Sequence, residues 1–133
     1  MDSAQHRVTG WINVTSYAPK PYDESGGLTI SEVHVVEEFT GDLIGTGTAR
    51  FLMATTADGS AYFTGIERFT GTLANRTGSF ILRNTGSLKD GQVTSEWFIL
   101  PGSAAGDLNG LSGTGGTGPQ GYFLDYWFES IRD

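Results

Sequence analysis

The chain has 133 residues, with eight Lys and Arg against 15 Asp and Glu, which gives a formal net charge of −7. This length predicts one domain over residues 1–133 with a single core, and the negative charge with scattered basic residues excludes binding to the phosphate backbone of a nucleic acid. The chain contains no cysteine, which excludes disulfides and thiolate metal sites and favours a reducing, cytoplasmic environment.

Alternating apolar and polar residues predict a succession of β-strands. Strong hairpin signals, Asp58-Gly59 and Asp90-Gly91, separate two pairs of them. No window of about eleven residues keeps the apolar period of a helix, so we expect at most a helical turn at 101–105. The predicted strands occupy 8–18, 28–40, 43–56, 60–70, 78–86, 92–100 and 121–130, with a shorter one at 108–114.

A repeated unit favours an antiparallel arrangement of these strands. Gly, then Asp or Thr, then Leu recurs at 41–43, 71–73 and 106–108. Gly and Asp permit the tight reversals that an antiparallel meander needs. The fold class predicted is therefore all-β, a closed antiparallel barrel of eight strands, and its interior is where function is expected.

Side chains alternate across a strand, so the more apolar face of each strand is the candidate interior. On 43–56 this face carries Gly45, Gly47 and Ala49 beside larger residues, which predicts empty volume along the wall. In 8–18 neither face is clearly apolar, because Ile12, Val14 and Ser16 compete with Trp11, Asn13, Thr15 and Tyr17.

Glu67 is the leading catalytic candidate, because it shares a face with Phe63 and Phe69. A carboxyl among aromatic side chains is desolvated, which raises its pKa and suits it to acid–base catalysis or to stabilising a cation. Glu37 is a second inward acid if its strand keeps register. The alternatives are a Glu67 turned to solvent, a solvated acidic patch of Glu37 with Glu38, or an internal ion pair of Glu67 with Arg50, Arg68 or Arg83.

A ligand pocket lined by aromatic side chains is predicted inside the barrel, although core packing explains the same residues. Tyr126 offers a phenol hydroxyl and is the third catalytic candidate, while Ser16 and Asn84 are candidate hydrogen-bond anchors. The substrate-binding set is Ser16, Phe51, Phe63, Phe69, Phe80, Asn84, Trp97 and Tyr122.

Several other classes of site lack support. His6 and His34 have no further ligand at metal-binding spacing, so no metal is predicted. The glycine-rich run at 110–118 lacks the Lys of a phosphate-binding loop and is expected to be a flexible loop or lid. The first residues lack the pattern of a signal peptide and no apolar run is long enough to cross a membrane, which predicts a cytoplasmic protein without a membrane partner.

Several short sequence blocks, spread in order along nearly the whole chain, carry a resemblance to a known family. They are Lys20-Pro21-Tyr22-Asp23, Phe39-Thr40-Gly41-Asp42-Leu43, Gly45-Thr46-Gly47-Thr48-Ala49, Gly65-Ile66-Glu67-Arg68-Phe69-Thr70-Gly71-Thr72-Leu73, Gly78-Ser79-Phe80, Pro101-Gly102-Ser103, Gly106-Asp107-Leu108 and Leu124-Asp125-Tyr126. Through them the chain resembles a family of small bacterial proteins of unassigned function.

That family looks like the allene oxide cyclase-type barrel, which is similar in shape to lipocalins and plant dirigent proteins. Relatives of this barrel include cyclases and stereochemical guides of natural-product pathways, and they are often dimers or trimers. The resemblance therefore implies the architecture, and chemistry only by analogy. Members often have a His where this chain has Asn84, and its loss removes a potential proton shuttle.

Three functions remain open. The first is a cofactor-independent cyclase or isomerase that folds a flexible, apolar, oxygenated small molecule inside the barrel. The second is a carrier that binds a similar ligand without converting it, and the third is a scaffold with a filled interior. Apolar Phe98 and Leu100 suit a covered outer face, and the resemblance implies that a homo-dimer or trimer would cover it.

Overall fold

The computed structural model describes residues 4–129, and this part of the chain contains nine β-strands and no helix, hence none long and apolar enough to cross a membrane. All pairings are antiparallel, in the order β4-β3-β2-β1-β9-β8-β6-β5-β7, and a further β4–β5 pairing closes the strands into a ring. The predicted all-β, antiparallel class is confirmed. The strands are β1 (His6–Ser25), β2 (Leu28–Gly41), β3 (Leu43–Thr55), β4 (Ala61–Leu73), β5 (Arg76–Lys89), β6 (Gln92–Ile99), β7 (Ala105–Gly106), β8 (Leu111–Gly118) and β9 (Gly121–Phe128).

The glycine-rich run at 110–118 is not a loop, so that expectation was wrong. Most of it forms β8, which pairs with β6 on one side and β9 on the other. A Cβ on Gly115 would overlap the Phe123 carbonyl of β9, and one on Gly116 would overlap the Ser95 carbonyl of β6. The glycines therefore serve close strand approach, which composition alone does not distinguish from flexibility.

Two other expectations about local structure also need correction. The helical turn expected at 101–105 is a tight turn, in which Ser103 N donates to Leu100 O at 3.1 Å, followed by the two-residue strand β7. The short strand expected at 108–114 lies instead at Leu111–Gly118. The last strand ends at Phe128, and position 130 of the predicted strand lies outside the described residues.

The ambiguous alternation in 8–18 has a structural cause. The register of β1 against β2 shifts between Val14 and Ser16, so Thr15 is an extra residue that forms a β-bulge. Ile12 and Val14 face the interior before the bulge, and Tyr17 does so after it. Neither of the two faces considered from the sequence is therefore correct along the whole strand.

The buried side chains form two clusters stacked along the axis of the ring. The turns at 26–27, 56–60, 90–91 and 119–120 all lie at one end, which we call the mouth end. The cluster nearer the mouth end is small and is built on β2 and β3, from Val33, Val35, Ala49 and Phe51 with Met53 and Phe63 against it. The larger cluster fills the far end and includes Phe39, Phe69, Phe80, Leu82, Trp97, Leu108, Tyr122 and Tyr126.

Candidate functional site

A cavity of about 530 Å³ opens at the mouth end of the ring. Its walls are mainly apolar and include Val35, Phe51 and Phe63. Exposed side chains stand at the rim, since Trp11 is 60% and Tyr17 is 54% exposed. The remaining lining residues are Ile12, Val14, Glu37, Met53, Asn84, Leu88, Gly91, Gln92, Val93, Ser95, Trp97, Thr117, Gly118, Pro119, Gly121 and Tyr122.

Polar side chains interrupt the core between its two clusters. On β2, Glu37 lies between Val35 of the small cluster and Phe39 of the large one. Glu67 on β4 and Asn84 on β5 occupy the matching boundary positions of their strands. The floor of the cavity is therefore a polar layer, formed where the tightly packed half of the interior ends.

Glu67 is the deepest member of this layer and is fully buried. Its Oε1 accepts a hydrogen bond of 3.2 Å from Asn84 Nδ2. A Cβ on Gly47 would overlap Glu67 Oε2 and press on the Phe39 ring, so the carboxyl occupies space that only glycine leaves free. Because Gly47 is also opposite Glu37 in the β2–β3 register, the same glycine brings the two acids together.

The surroundings of the Glu67 carboxyl favour its neutral form. Burial, together with hydrogen bonding and charge repulsion from Glu37, raises the pKa of Glu67 well above its ordinary value of 4.5, against a smaller opposing effect of Asn84. Two ionised carboxylates have no proton to share, and Glu67 Oε2 finds no donor among residues 4–129. In its neutral form Glu67 has a proton that this oxygen can donate to Glu37, so the two side chains are treated below as one acid pair.

Within residues 4–129 no cation neutralises this pair, so the alternative of an internal ion pair with Arg50, Arg68 or Arg83 was wrong. All three arginines are exposed on the outer face. Arg50 Nη1 lies 3.9 Å from Glu32 Oε2, and the Arg83 guanidinium lies 4.8 Å from the centre of the Phe98 ring. The expected burial of Glu67 is confirmed, and Glu37, unlike exposed Glu38, also faces the interior.

Two further polar atoms at the floor are buried without a hydrogen-bond partner among the described residues. They are Asn84 Oδ1 and Trp97 Nε1, and these residues are opposite each other in the β5–β6 register. An unsatisfied buried polar atom costs about 1–3 kcal/mol. The floor thus has one unsatisfied acceptor and one unsatisfied donor beside the acid pair, and both are available to a ligand.

The structure brings most, but not all, of the predicted site residues to the cavity. Those that line it are Glu37, Phe51, Phe63, Asn84, Trp97 and Tyr122, with Glu67 directly beneath. Phe69, Phe80 and Tyr126 do not line it, because they lie in the cluster at the far end. Ser16 does not line it either, because the bulge at Thr15 leaves it exposed.

Sequence reasoning missed the rim of the cavity. Trp11, Val14 and Tyr17 of β1 were not assigned to the site, and neither were Leu88, Val93 and Pro119 near the hairpin turns. The Tyr17 hydroxyl reaches the Met53 sulfur at 3.6 Å across β2. The available signal was the switch of apolar residues from even to odd positions between Val14 and Tyr17, which marks a bulge.

Tyr122 has a structural role as well as lining the cavity. Its hydroxyl donates to Thr40 O at 2.8 Å and accepts from Leu43 N at 2.8 Å, which ties β9 to the turn between β2 and β3. A Cβ on Gly10 would overlap this hydroxyl. In the described part of the chain, no group of three or more His, Cys, Asp and Glu residues is arranged to hold a metal ion.

Comparison with known proteins identifies the family. The model of a family described as protein of unknown function, DUF3224, matches residues 8–129. A crystal structure of a DUF3224 protein of unknown function from Shewanella oneidensis MR-1 is 27% identical, with a TM-score of 0.71, and the match covers 98% of this chain and 100% of that one. No curated protein matches the chain. The chain therefore belongs to the DUF3224 family.

Proposed function

We propose that the protein is a cofactor-independent cyclase or isomerase of small, apolar, oxygenated molecules, and that its ring of strands is a barrel of the allene oxide cyclase type. The observation that carries the proposal is the pair of Glu37, which lines an apolar cavity, and Glu67, which is buried beside it with a raised pKa. A carboxyl with a raised pKa is suited to act as a general acid, and burial is the main cause of the raised pKa of Glu67.

Glu37 is the group that meets the substrate, because it lines the cavity whereas Glu67 lies beneath it. In the proposed reaction, the pair gives its proton to a substrate oxygen, such as that of an epoxide. The C–O bond then breaks, and a double bond within the same molecule attacks the electron-deficient carbon. Loss of a proton from a neighbouring carbon to the pair completes an isomerisation that consumes no cofactor.

The walls contribute confinement and electrostatic stabilisation. The aromatic faces of Trp97 and Phe51 border the cavity and stabilise positive charge that develops on carbon. Holding a flexible molecule in one folded conformation removes entropy that the cyclisation otherwise loses in the transition state. Catalysis would thus combine an acid at the floor with a shaped apolar wall.

A carrier function is the second candidate, and the open rim favours it. Trp11, Val14 and Tyr17 are exposed apolar side chains at the mouth, which suits entry and exit of an apolar ligand. A carrier needs the cavity but no titrating acid. The two functions are therefore separated by the effect of removing the acid.

The test uses limonene oxide, an apolar epoxide that retains one double bond, and follows its isomers by gas chromatography. We expect Glu37→Gln to reduce the rate by roughly two to four orders of magnitude while tryptophan fluorescence shows retained binding. Glu38→Gln is the matched control, because it removes the same charge from an exposed neighbouring position. Binding without turnover in the wild type would favour the carrier, and equal rates in Glu37→Gln would remove the acid from the mechanism.

Self-association stays a prediction. Phe98 on the outer face of β6 is 36% exposed and stacks under Arg83. Sedimentation velocity of the wild type and of Phe98→Ser tests whether this face is covered in a dimer or trimer.

A further inference from the structure

The cavity carries an asymmetric set of charges. Among residues 4–129, no Lys, Arg or His lines it, whereas Glu37 does and Glu67 lies directly beneath. The cavity thus offers a carboxyl pair and no compensating cation. An anionic ligand placed at this floor meets like charge and has no positive partner in a site of reduced dielectric constant.

Within residues 4–129, the strands beside the pair supply no cation to it. On β3, the residues next to it are Gly47 and Ala49, and on β5 they are Leu82 and Asn84, so neither strand supplies a charge there. On β2 only Glu37 faces it. The arginines of β3, β4 and β5 are exposed on the outer face of the ring.

The aromatic walls of the cavity also favour a cationic ligand over an anionic one. Trp97 stacks with Tyr122 at 5.7 Å between ring centres, and Phe51 meets Phe63 edge to face at 5.1 Å. All four rings line the cavity, one pair on β6 and β9 and the other on β3 and β4. Aromatic faces attract cations, and most strongly when water is excluded.

We propose that this cavity binds apolar ammonium ions in preference to isosteric alcohols and carboxylates, with the ammonium group paired to Glu37 and with Glu67 directly beneath. The inference rests on the proposed site, but it does not require that the site be catalytic. The ligand class is a compact hydrocarbon bearing one amine, or a substrate that becomes cationic as it reacts. Free fatty acids and phosphate esters are excluded as ligands.

Binding of an ammonium ion displaces the shared proton. The bound cation stabilises the ionised form of both carboxyls, so the proton held between them passes to solvent as the complex forms. The balance is one cation bound for up to about one proton released. An alcohol of the same shape leaves the proton in place, so the affinities of the amine and the alcohol depend differently on pH.

The experiment uses three probes with one cage-shaped hydrocarbon body, namely adamantan-1-amine, adamantan-1-ol and adamantane-1-carboxylate. Calorimetric titration at neutral pH, in two buffers of different ionisation enthalpy, measures both affinity and proton release. We expect the amine to bind at least about tenfold more tightly than the carboxylate. We also expect proton release with the amine only.

Single substitutions test whether Glu37 and Glu67 cause the preference for the amine and the proton release. Glu37→Gln should abolish the preference for the amine, and Glu67→Gln should abolish the proton release. Glu38→Gln should change neither, because this side chain is exposed. Equal losses in Glu37→Gln and Glu38→Gln would show that net charge alone causes the preference, and would overturn the inference.

Two other outcomes also overturn it: equal or tighter binding of the carboxylate, or no binding of the amine. Both are distinguishable from failure of the proposed function, because the epoxide assay measures turnover independently of the amine. An enzyme that isomerises the epoxide yet ignores the amine would retain the proposed function and lose this inference.

Discussion

Replacing Glu67 by Gln should make the protein more stable at neutral pH and remove part of its pH dependence. Gln keeps the shape of the protonated acid, so its carbonyl still accepts from Asn84 Nδ2 and its amide donates to Glu37 in place of the acid proton. Unlike the acid, the amide does not titrate. The substitution therefore preserves the hydrogen bonds and removes the cost of keeping residue 67 protonated.

The sign and size of this pH dependence of the free energy of unfolding follow from the raised pKa of Glu67. Below its ordinary value of 4.5, folded and unfolded chains both hold the proton, and the two proteins differ by a constant amount. Above that value, only the folded chain holds it, so unfolding releases a proton and stability falls as pH rises. The fall is about 1.4 kcal/mol per pH unit and ends when the pH passes the pKa of the folded state.

Urea denaturation followed by tryptophan fluorescence measures this effect between pH 4 and pH 8. The quantity of interest is the difference in the free energy of unfolding between Glu67→Gln and the wild type, because contributions of titrating groups that do not interact with Glu67 cancel in it. Glu38→Gln, at an exposed position, supplies the control. A difference that stays flat across this range would refute a protonated Glu67 and with it the acid pair.

Two further predictions concern packing and closure of the ring. Gly47→Ala should cost about 1–3 kcal/mol in urea denaturation, because its Cβ would overlap Glu67 Oε2, whereas Gly118→Ala should not, because nothing lies within 4 Å of a Cβ there. An unchanged midpoint for Gly47→Ala would contradict the overlap. Tyr122→Phe should lower the free energy of unfolding by about 1–3 kcal/mol, because it removes the hydroxyl that bonds to Leu43 N and Thr40 O. Tyr62→Phe, at an exposed position, is the control and should be neutral. Equal urea midpoints for the two variants would contradict the role of the Tyr122 hydroxyl in joining β9 to the turn between β2 and β3.

The inward faces of most strands were predictable because β-strand alternation needs only local sequence. On β4 the predicted face holds buried Ala61, Glu67 and Phe69, and on β9 it holds buried Tyr122 and Leu124. Glu67 was identified as the central acid by this argument alone. Alternation decides whether a side chain points inward, and it does so wherever a strand has no bulge.

Alternation does not decide how far along the axis a side chain lies. Tyr126 pairs with His6 and Gly113, near the far end, whereas Tyr122 pairs with Gly10 and Thr117, closer to the mouth. Both were expected at the cavity, and only Tyr122 lines it. The level of each residue depends on register between strands distant in sequence, which no local pattern encodes.

The role of Gly47 was not predicted, because it also depends on the register between strands. From the sequence it was one of several small residues expected to leave a cavity beside the wall. In the structure, Glu67 of the neighbouring strand fills its space, so the small residue accommodates a carboxyl instead of leaving a void. Only the β3–β4 register, with Ala49 opposite Glu67, shows which side chain takes that space.

Two departures from the rules of stable packing coincide at the cavity floor. A fully buried Glu67 that has no cationic partner in the described part of the chain is less stabilising than an apolar side chain of similar volume, because its polar group must be desolvated. Gly47 gives up the packing of a Cβ within a strand to make room for it. A filled, apolar interior needs neither residue, and the large cluster at the far end shows that this chain builds such an interior a few residues away. Departures concentrated at one accessible cavity are expected of a functional site, which is why we assign the chemistry to this floor and not to the far end.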